Sequence, residues 1–489
     1  MRLRNTRGRR LLVASAGTLC LAVLAVAPVP ISAGFSASTE NGPSSFTAAA
    51  SFAAPLSQPA ASSSCTSETG TGGTCLDGVA LSGVTAVAAS PDGTSVYVAS
   101  LFSHAVAAFA RDATTGRVTQ LAGTAACVSS NGTSGACVTG SQLLDTSGVA
   151  VSPDGLHVYV TSTDSNALTA YTRNTSTSAL TRLAGSAGCV TETGSSGACV
   201  DGKAMLEVKN VVVSPDGKNV YVTSSGLDAV VALSRNAVTG ALTPLAGTAG
   251  CTSQTGADGV ALGQCVIGTA MDGALGVAVS ADGKHVYVTA SSSSAVVAFS
   301  RDASTGALTQ LAGTAGCTSD TGTSGACVDG VELWGAKGVT ISPDDEHVYV
   351  TSPWGNAVAA FARDTTTGAL TQLTGTAACV SATGTGGSCV TGKALTGASA
   401  VTVSPDGTNV YVAATTADAV AVLARNTTTG ALTQDSGTSA CLSETGTSGA
   451  CTDGRALDGA QGLVVSPDGK DVYVVSGVSS ALAQLVRDR

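Results

Sequence analysis

Fourteen of the 15 cysteines in this 489-residue chain are paired by spacing. The pairs are Cys65 and Cys75, Cys127 and Cys137, Cys189 and Cys199, Cys251 and Cys265, Cys317 and Cys327, Cys379 and Cys389, and Cys441 and Cys451. Six pairs stand 10 residues apart and one, Cys251 and Cys265, stands 14 apart. Thiols at such positions can bind zinc or form disulfides. Structural zinc sites usually space their ligands by about two to four residues and often add histidine. Neither feature is present. An even count at regular spacing reads as seven disulfides, each closing its own loop, in an oxidising compartment.

The chain has only four histidines. His157, His285 and His347 share one slot before a Val-Tyr-Val run, where other repeats carry Ser95, Asn219, Asn409 and Asp471. That reads as a structural position on the surface of a hairpin. His104 falls in a loop slot filled elsewhere by Asn166, Asp228, Ser294, Asn356, Asp418 and Ser480. All of these can hydrogen-bond a tight turn, and His104 is also able to move a proton. Asp77, Asp201, Asp329 and Asp453 each precede a glycine after a second cysteine. Calcium needs several oxygens converging on one point. One carboxylate per repeat does not supply that, so an Asx-type turn is the reading and no metal site is expected. No nucleophile elbow, HExxH helix, phosphate loop or EF-hand loop occurs. Catalytic residues are therefore unassigned, and no cofactor is implied.

Two slots vary more than the rest. The first reads Ser82, Leu144, Leu206, Asp272, Trp334, Thr396, Asp458. The second, three residues on, reads Thr85, Ser147, Lys209, Leu275, Lys337, Ser399, Gln461. The chain's two tryptophans, Trp334 and Trp354, both fall in the fifth repeat. Exposed tryptophan is enriched at binding hot spots. Asp272, Trp334, Lys337 and Trp354 are the expected pocket, with Lys209 and Asp458 as further candidates for ligand binding.

The elements that must position these residues recur seven times. Repeats start at Cys65, Cys127, Cys189, Cys251, Cys317, Cys379 and Cys441, in steps of 62 residues with one step of 66. Each carries an apolar run, a Ser-Pro-Asp-Gly turn, a Val-Tyr-Val strand, a strand such as AVAAFARD, a short turn and a strand such as ALTQL. Proline presets φ in the turn and glycine supplies its left-handed residue. Ala281 replaces the proline once and Asp345 the glycine once, and both turns should survive. A fixed period of this length means a repeat architecture. Four antiparallel strands in about 60 residues describe a propeller blade, so the fold class is all-β, a seven-bladed β-propeller. The last repeat ends without its ALTQL strand, and residues 55–59 fall in the matching register before Cys65. They should form the outer strand of blade seven and close the ring.

These blocks, SPDG…VYVTS…AVAAF and TGALTQL, resemble the YVTN repeat of the lactonase-like seven-bladed propeller family. Tyr-Val-Thr-Ser stands at Tyr159, Tyr221 and Tyr349. The resemblance covers roughly residues 54–489 and implies the propeller fold. It implies lactone hydrolysis only as an alternative, because one fold hosts many functions. In propellers the start of the innermost strand rims the central channel, so repeats that agree in their core but differ there point to a non-symmetric task.

Residues 1–33 read as a signal peptide, with five arginines, an apolar run and Ile31-Ser32-Ala33 at its end. Whether export is by a general or a twin-arginine route, and whether the segment is cleaved or kept as an anchor, stays open. Residues 34–53 read as a flexible Ser/Ala-rich linker, and residues 54–489 as the propeller. Removing the signal takes five arginines and no acids from 23 basic and 33 acidic residues, which leaves 18 against 33 and a net charge of −15. Nucleic acid and anionic membrane surfaces are poor partners for such a chain. The expectation is a secreted or periplasmic propeller that binds a small polar or sugar-like ligand, or a peptide, through the face carrying the cysteine loops. The alternative is a lactonase-like hydrolase acting in the channel.

Overall fold

The computed structural model describes residues 54–488. The expected signal peptide and linker, 1–33 and 34–53, lie outside the described residues. Seven sheets form, one per repeat, and the chain is a seven-bladed propeller. In blade one the inner strand is Val84–Ala89, the second Ser95–Ser100 and the third Ala105–Arg111. All three pair antiparallel. The second strand is buried at every residue, SVYVAS, because sheets pack on both of its faces. Alanine and valine at these positions let neighbouring blades approach closely.

The fourth position of the sheet is more elaborate than a single strand. Val118–Gln120 pairs with the end of the third strand, and Cys127–Ser129 pairs with its start. A fifth segment, Val138–Thr139, runs parallel to the cysteine strand. The disulfide joins these last two segments, with 4.8 Å between the Cα atoms of Cys127 and Cys137. All seven expected pairs are bonded within their own loops. Each cysteine loop therefore completes the outer edge of one blade before the chain crosses to the next. The enlarged loop Cys251–Cys265 belongs to blade three.

Asp345 takes the left-handed backbone of the missing glycine, φ +63°, and donates its N–H to Ser342 O at 2.9 Å. The turn survives as expected. The turn aspartates also have a second partner. Each third strand ends in an arginine whose guanidinium reaches the preceding blade. Arg301 donates Nε to Tyr221 Oη at 2.8 Å, Nη1 to Gly283 O at 2.8 Å and Nη2 to Asp216 Oδ2 at 2.8 Å. Tyr221 Oη donates in turn to Gly306 O at 2.8 Å. Burial pushes that phenol up to about 12, against the lowering effect of Arg301. A buried charge is tolerable only when paired and hydrogen-bonded, and here the pairing links neighbouring blades.

The same guanidinium corrects the reading of the histidine slot. His157, His285 and His347 are 2%, 3% and 4% exposed, so they are buried between blades and not on a hairpin surface. Each lies with Nδ1 at 2.7 Å from an arginine Nη2: Arg235, Arg363 and Arg425 respectively. A guanidinium only donates, so each Nδ1 accepts. The other residues in the slot also accept from the next arginine, through Ser95 Oγ, Asn219 Oδ1, Asn409 Oδ1 and Asp471 Oδ2. What looks in sequence like free exchange is a requirement for one hydrogen-bond acceptor. Burial, and then the adjacent arginine, push all three imidazoles down and keep them neutral.

The ring closes with an N-terminal strand in the expected register. Leu56–Ser57 pairs antiparallel with the last strand, Leu56 opposite Arg487 and Ser57 opposite Val486. Cys65–Ser67 pairs with the start of the same strand. Blade seven is thus built from both ends of the described chain. No helix among the described residues is long and apolar enough to cross a membrane.

Candidate functional site

The inner strands surround a central cavity of about 340 Å³, lined by all seven residues of the second variable slot. A β-bulge accounts for their direction. Register shifts fall between Val84 and Ala86, Thr146 and Gly148, Val208 and Val211, Ala274 and Val277, Ala398 and Ala400, and Ala460 and Gly462. The displaced residues include Thr85, Ser147, Lys209, Leu275, Ser399 and Gln461. A bulge leaves one residue outside the ladder and re-aims its side chain. In blade five the inner strand begins later, at Val339–Ile341, and Lys337 precedes it.

Several slot side chains hydrogen-bond around the ring. Thr85 Oγ1 donates to Thr146 O at 3.0 Å and Ser147 Oγ to Val208 O at 3.1 Å. Gln461 Nε2 donates to Val84 O. Lys337 Nζ donates to Ser399 Oγ at 2.7 Å, and Ser399 Oγ to Gln461 O at 3.4 Å. Leu275 makes no such link. Lys209 sits 3.9 Å from Glu207 Oε2. Burial holds the Lys337 ammonium below its ordinary pKa.

The first variable slot lies outside the cavity lining. Asp272 is exposed, and its backbone N–H donates to Ser293 Oγ at 3.1 Å. The neighbouring Asp228 carboxyl accepts Gly273 N–H at 2.8 Å and is pushed up by burial and then by Asp272. Asp458 is pushed up by burial and then by Asp418. Trp334 and Trp354 meet edge to face with centroids 5.9 Å apart, and they remain 56% and 55% exposed. Gly335 lets Trp354 lie against the backbone, since a Cβ there would come 2.7 Å from its ring. The structure thus brings the two tryptophans together and puts Lys209 and Lys337 on one cavity wall. No hydrogen bond, ion pair or ring contact among the described residues joins Asp272 or Lys337 to either tryptophan.

His104 and its equivalents all have one job. Each side chain accepts a backbone N–H from the crossing into the next blade: His104 Nδ1 from Asp145 at 2.9 Å, Asn166 from Glu207 at 2.7 Å and Asn356 from Gly397 at 2.8 Å. The grouping of Asp344, Glu346 and His347 is likewise structural. Arg425 Nη2 lies 2.7 Å from both Asp344 Oδ2 and His347 Nδ1, so the guanidinium fills the space a cation would need.

Sequence reasoning missed one further place. The enlarged loop of blade three folds against the cysteine loop of blade two, and Asp258 O accepts Ala204 N–H at 3.2 Å. Between them lies a cavity of about 440 Å³ lined by Glu192, Asp201, Lys203 and Asp258, among others. Burial, with Asp258 and Asp201 nearby, pushes Glu192 up to about 7 against a hydrogen bond from Met205 N–H. The four extra residues between Cys251 and Cys265 were the only signal for it.

Residues 326–446 match the family described as Lactonase, 7-bladed beta-propeller. The chain is a seven-bladed β-propeller, and this stretch of it resembles that family. Similar solved structures include a putative 6-phosphogluconolactonase of Bacteroides fragilis, at 20% identity over 71% of this chain and 82% of that one, TM-score 0.49. The periplasmic gluconolactonase of Pseudomonas aeruginosa aligns at 18% identity over 72% and 83%, TM-score 0.47. Hydrazine synthase of Kuenenia stuttgartiensis aligns at 16% identity over 83% and 95%, TM-score 0.48. No curated protein sequence matches this propeller. Its seven disulfides fit an extracellular or periplasmic location.

Proposed function

We propose that this propeller is exported and binds a small polar ligand in its central channel, entering from the face that carries the cysteine loops. One observation carries the reading. The blades agree in their core, yet at the second variable slot they present seven side chains of five kinds to one cavity. A symmetric scaffold with a non-symmetric lining is what selective recognition of one small molecule requires. The cavity is at the small end of ligand pockets, which run from about 300 to 1,000 Å³. Trp334 and Trp354, exposed in the loops of blade five, offer an aromatic surface for a ligand to meet. Binding fits this lining better than hydrolysis does, because it offers lysine, hydroxyl and amide groups and no carboxylate or imidazole to activate water.

The test is a panel of sugars, sugar acids and lactones, followed by tryptophan fluorescence and thermal shift. Leu275→Trp should fill the channel and abolish binding, and Trp334→Ala and Trp354→Ala report on the aromatic surface. A ligand that binds the channel-filled variant as tightly as the parent overturns the reading.

Lactone hydrolysis is the second reading, favoured by the family match over residues 326–446. Opening a lactone needs an activated water and a group to hold the oxyanion. Asp272, Asp458 and the two channel lysines are the residues to supply them. Turnover of any lactone that is lost in Asp272→Asn supports this reading, and assays with and without EDTA show whether a metal takes part.

A further inference from the structure

We infer that the ligand of this channel is a small anion, an organic acid or a phosphate ester, whose charged group is held by Lys337 Nζ, which Ser399 Oγ positions. The inference rests on the channel reading above and adds the ligand's charge and its place. Lys337 lies on the wall of the cavity, and its ammonium makes one hydrogen bond, to a neutral hydroxyl. No carboxylate forms an ion pair with it among the described residues. An ammonium has three N–H donors, so two are left for a ligand. A buried charge without a counter-ion is costly, and Lys337 carries the mark of that cost in a pKa lowered by burial alone. The fully buried cations of this molecule are treated differently from this half-buried one. Arg111, Arg301 and Arg425 each have an aspartate within 3 Å.

The surroundings agree with the assignment. Lys209, two blades away, adds a second positive group to the same cavity, and no lining residue is acidic. Its own partner, Glu207, is 3.9 Å away and 56% exposed, so the pairing is loose and solvent-screened. A cationic cavity inside an acidic chain selects anions by contrast with its exterior. Leu275, in the blade between the two lysines, gives a short carbon chain something to rest on. Ser399 Oγ, fixed by its donation to Gln461 O, presents its lone pairs to Lys337 and holds the ammonium at the wall.

The experiment uses the full mature chain and calorimetric titration with malate, gluconate and glycerol phosphate. Glycerol and glucose serve as neutral matches. At least one anionic probe should bind, and Lys337→Met should weaken it about tenfold or more, the scale of a lost charged hydrogen bond. Lys337→Arg should restore most of the affinity, and Leu275→Trp should abolish it. Binding to the carboxylates only, or to the phosphate ester only, fixes the headgroup. Anion binding unchanged in Lys337→Met overturns the inference, as does failure of every anionic probe at millimolar concentration. Neutral probes that bind as tightly as the anions, and are lost in Leu275→Trp, would leave the channel reading standing and remove the charge assignment. Anion binding that is lost in Lys337→Met but survives Leu275→Trp would retain Lys337 and overturn the channel as its setting.

Discussion

Arg111 of blade one donates Nε to Tyr473 Oη of blade seven at 2.6 Å, so the first and last repeats are joined by the same link that joins five of the other six pairs of neighbours, Arg173 Nε donating instead to Ser95 Oγ between blades one and two. Its Nη2 also reaches Asp471 Oδ2 at 2.7 Å and Asp468 Oδ2 at 2.9 Å. Removing the arginine takes the guanidinium away from two carboxylates, one of them almost fully buried. Arg111→Met should therefore cost about 3–5 kcal/mol. Tyr473→Phe removes one acceptor and the donation to Gly116 O, and should cost about 1–3 kcal/mol. Exposed Arg117→Met is the control, expected within about 0.5 kcal/mol of the parent. Urea unfolding midpoints decide it, and equal midpoints for Arg111→Met and Arg117→Met would show that the seam does not depend on this link.

The closing strand has its own signature in Gln58. Gln58 Nε2 donates to Arg455 O at 3.1 Å, and Arg455 N–H donates to Gln58 Oε1 at 2.7 Å. Gln120 makes the same two bonds with Val79 inside the ring. Deleting residues 54–61 removes this pair and exposes the pocket of Leu56, which is 2% exposed and worth about 1.5–3 kcal/mol of burial. The melting temperature should fall by several degrees, and Gln58→Ala alone should give a smaller drop. An unchanged melt of the deletion variant would mean that blade seven stands without its N-terminal strand.

The period, the order of the three long strands, the disulfide pairing and the closing register could all be read from the sequence, because each is a local pattern repeated seven times, whereas the cysteine strand and its parallel neighbour at the blade edge could not. Nor could two other features. The acceptor shared by Ser95, His157, Asn219 and Asp471 is recognised by an arginine about 78 residues further on for Ser95 and His157, and no local pattern links the two. The bulge at Thr85, Lys209 and Gln461 depends on pairing with the second strand, so the slot was visible as variable while its aim into the channel was not. Trp334 and Trp354 were legible as a pair on one face, and the structure adds that each is the other's neighbour.

Each disulfide closes a loop at the outer edge of its blade, beyond the three long strands, so reduction should act locally. Chain entropy gives at most about 3 kcal/mol for closing a loop of this size. Mild reduction and alkylation should leave the β-sheet circular dichroism in place while the cysteine loops become sensitive to proteases. Peptide mapping of the unreduced protein should find every linked pair within one repeat. A linked peptide from two repeats, or loss of the sheet signal on mild reduction, would contradict this.

Acid should unfold the protein through the turn aspartates. Asp282 is held at about 2: burial raises it, but hydrogen bonds from Ser280 Oγ and Lys284 N–H, together with the Arg363 charge, outweigh that. Asp92 is held at about 2 in the same way. A carboxylate depressed on folding contributes stability that is present above its ordinary pKa of 3.8 and is lost as pH falls through about 2. Stability should therefore drop steeply over that window. Asp282→Asn should lower the melting temperature at pH 7 and flatten the acid limb. A variant that melts lower at pH 7 but keeps the parent's slope between pH 4 and 2 would show that the limb comes from other groups.

Glu192 should produce the opposite trend at higher pH. Its folded value of about 7 lies above the ordinary 4.5, because burial and the adjacent Asp258 and Asp201 disfavour the charge. Between those values the folded state holds a proton that the unfolded state has released. The contribution is therefore fully present below 4.5 and is lost as pH rises through about 7. Asp228 and Asp458 are raised as well and add to the same trend. Glu192→Gln keeps an oxygen to accept Met205 N–H and cannot ionise. The difference in melting temperature between the variant and the parent should be small at pH 4.5 and should grow in the variant's favour up to pH 8. Glu192 is only partly withdrawn from solvent, so screening keeps the effect modest, and the comparison must be made at fixed low salt. Parallel melting curves for the two proteins from pH 4.5 to 8 would mean that Glu192 is ionised in the folded protein throughout.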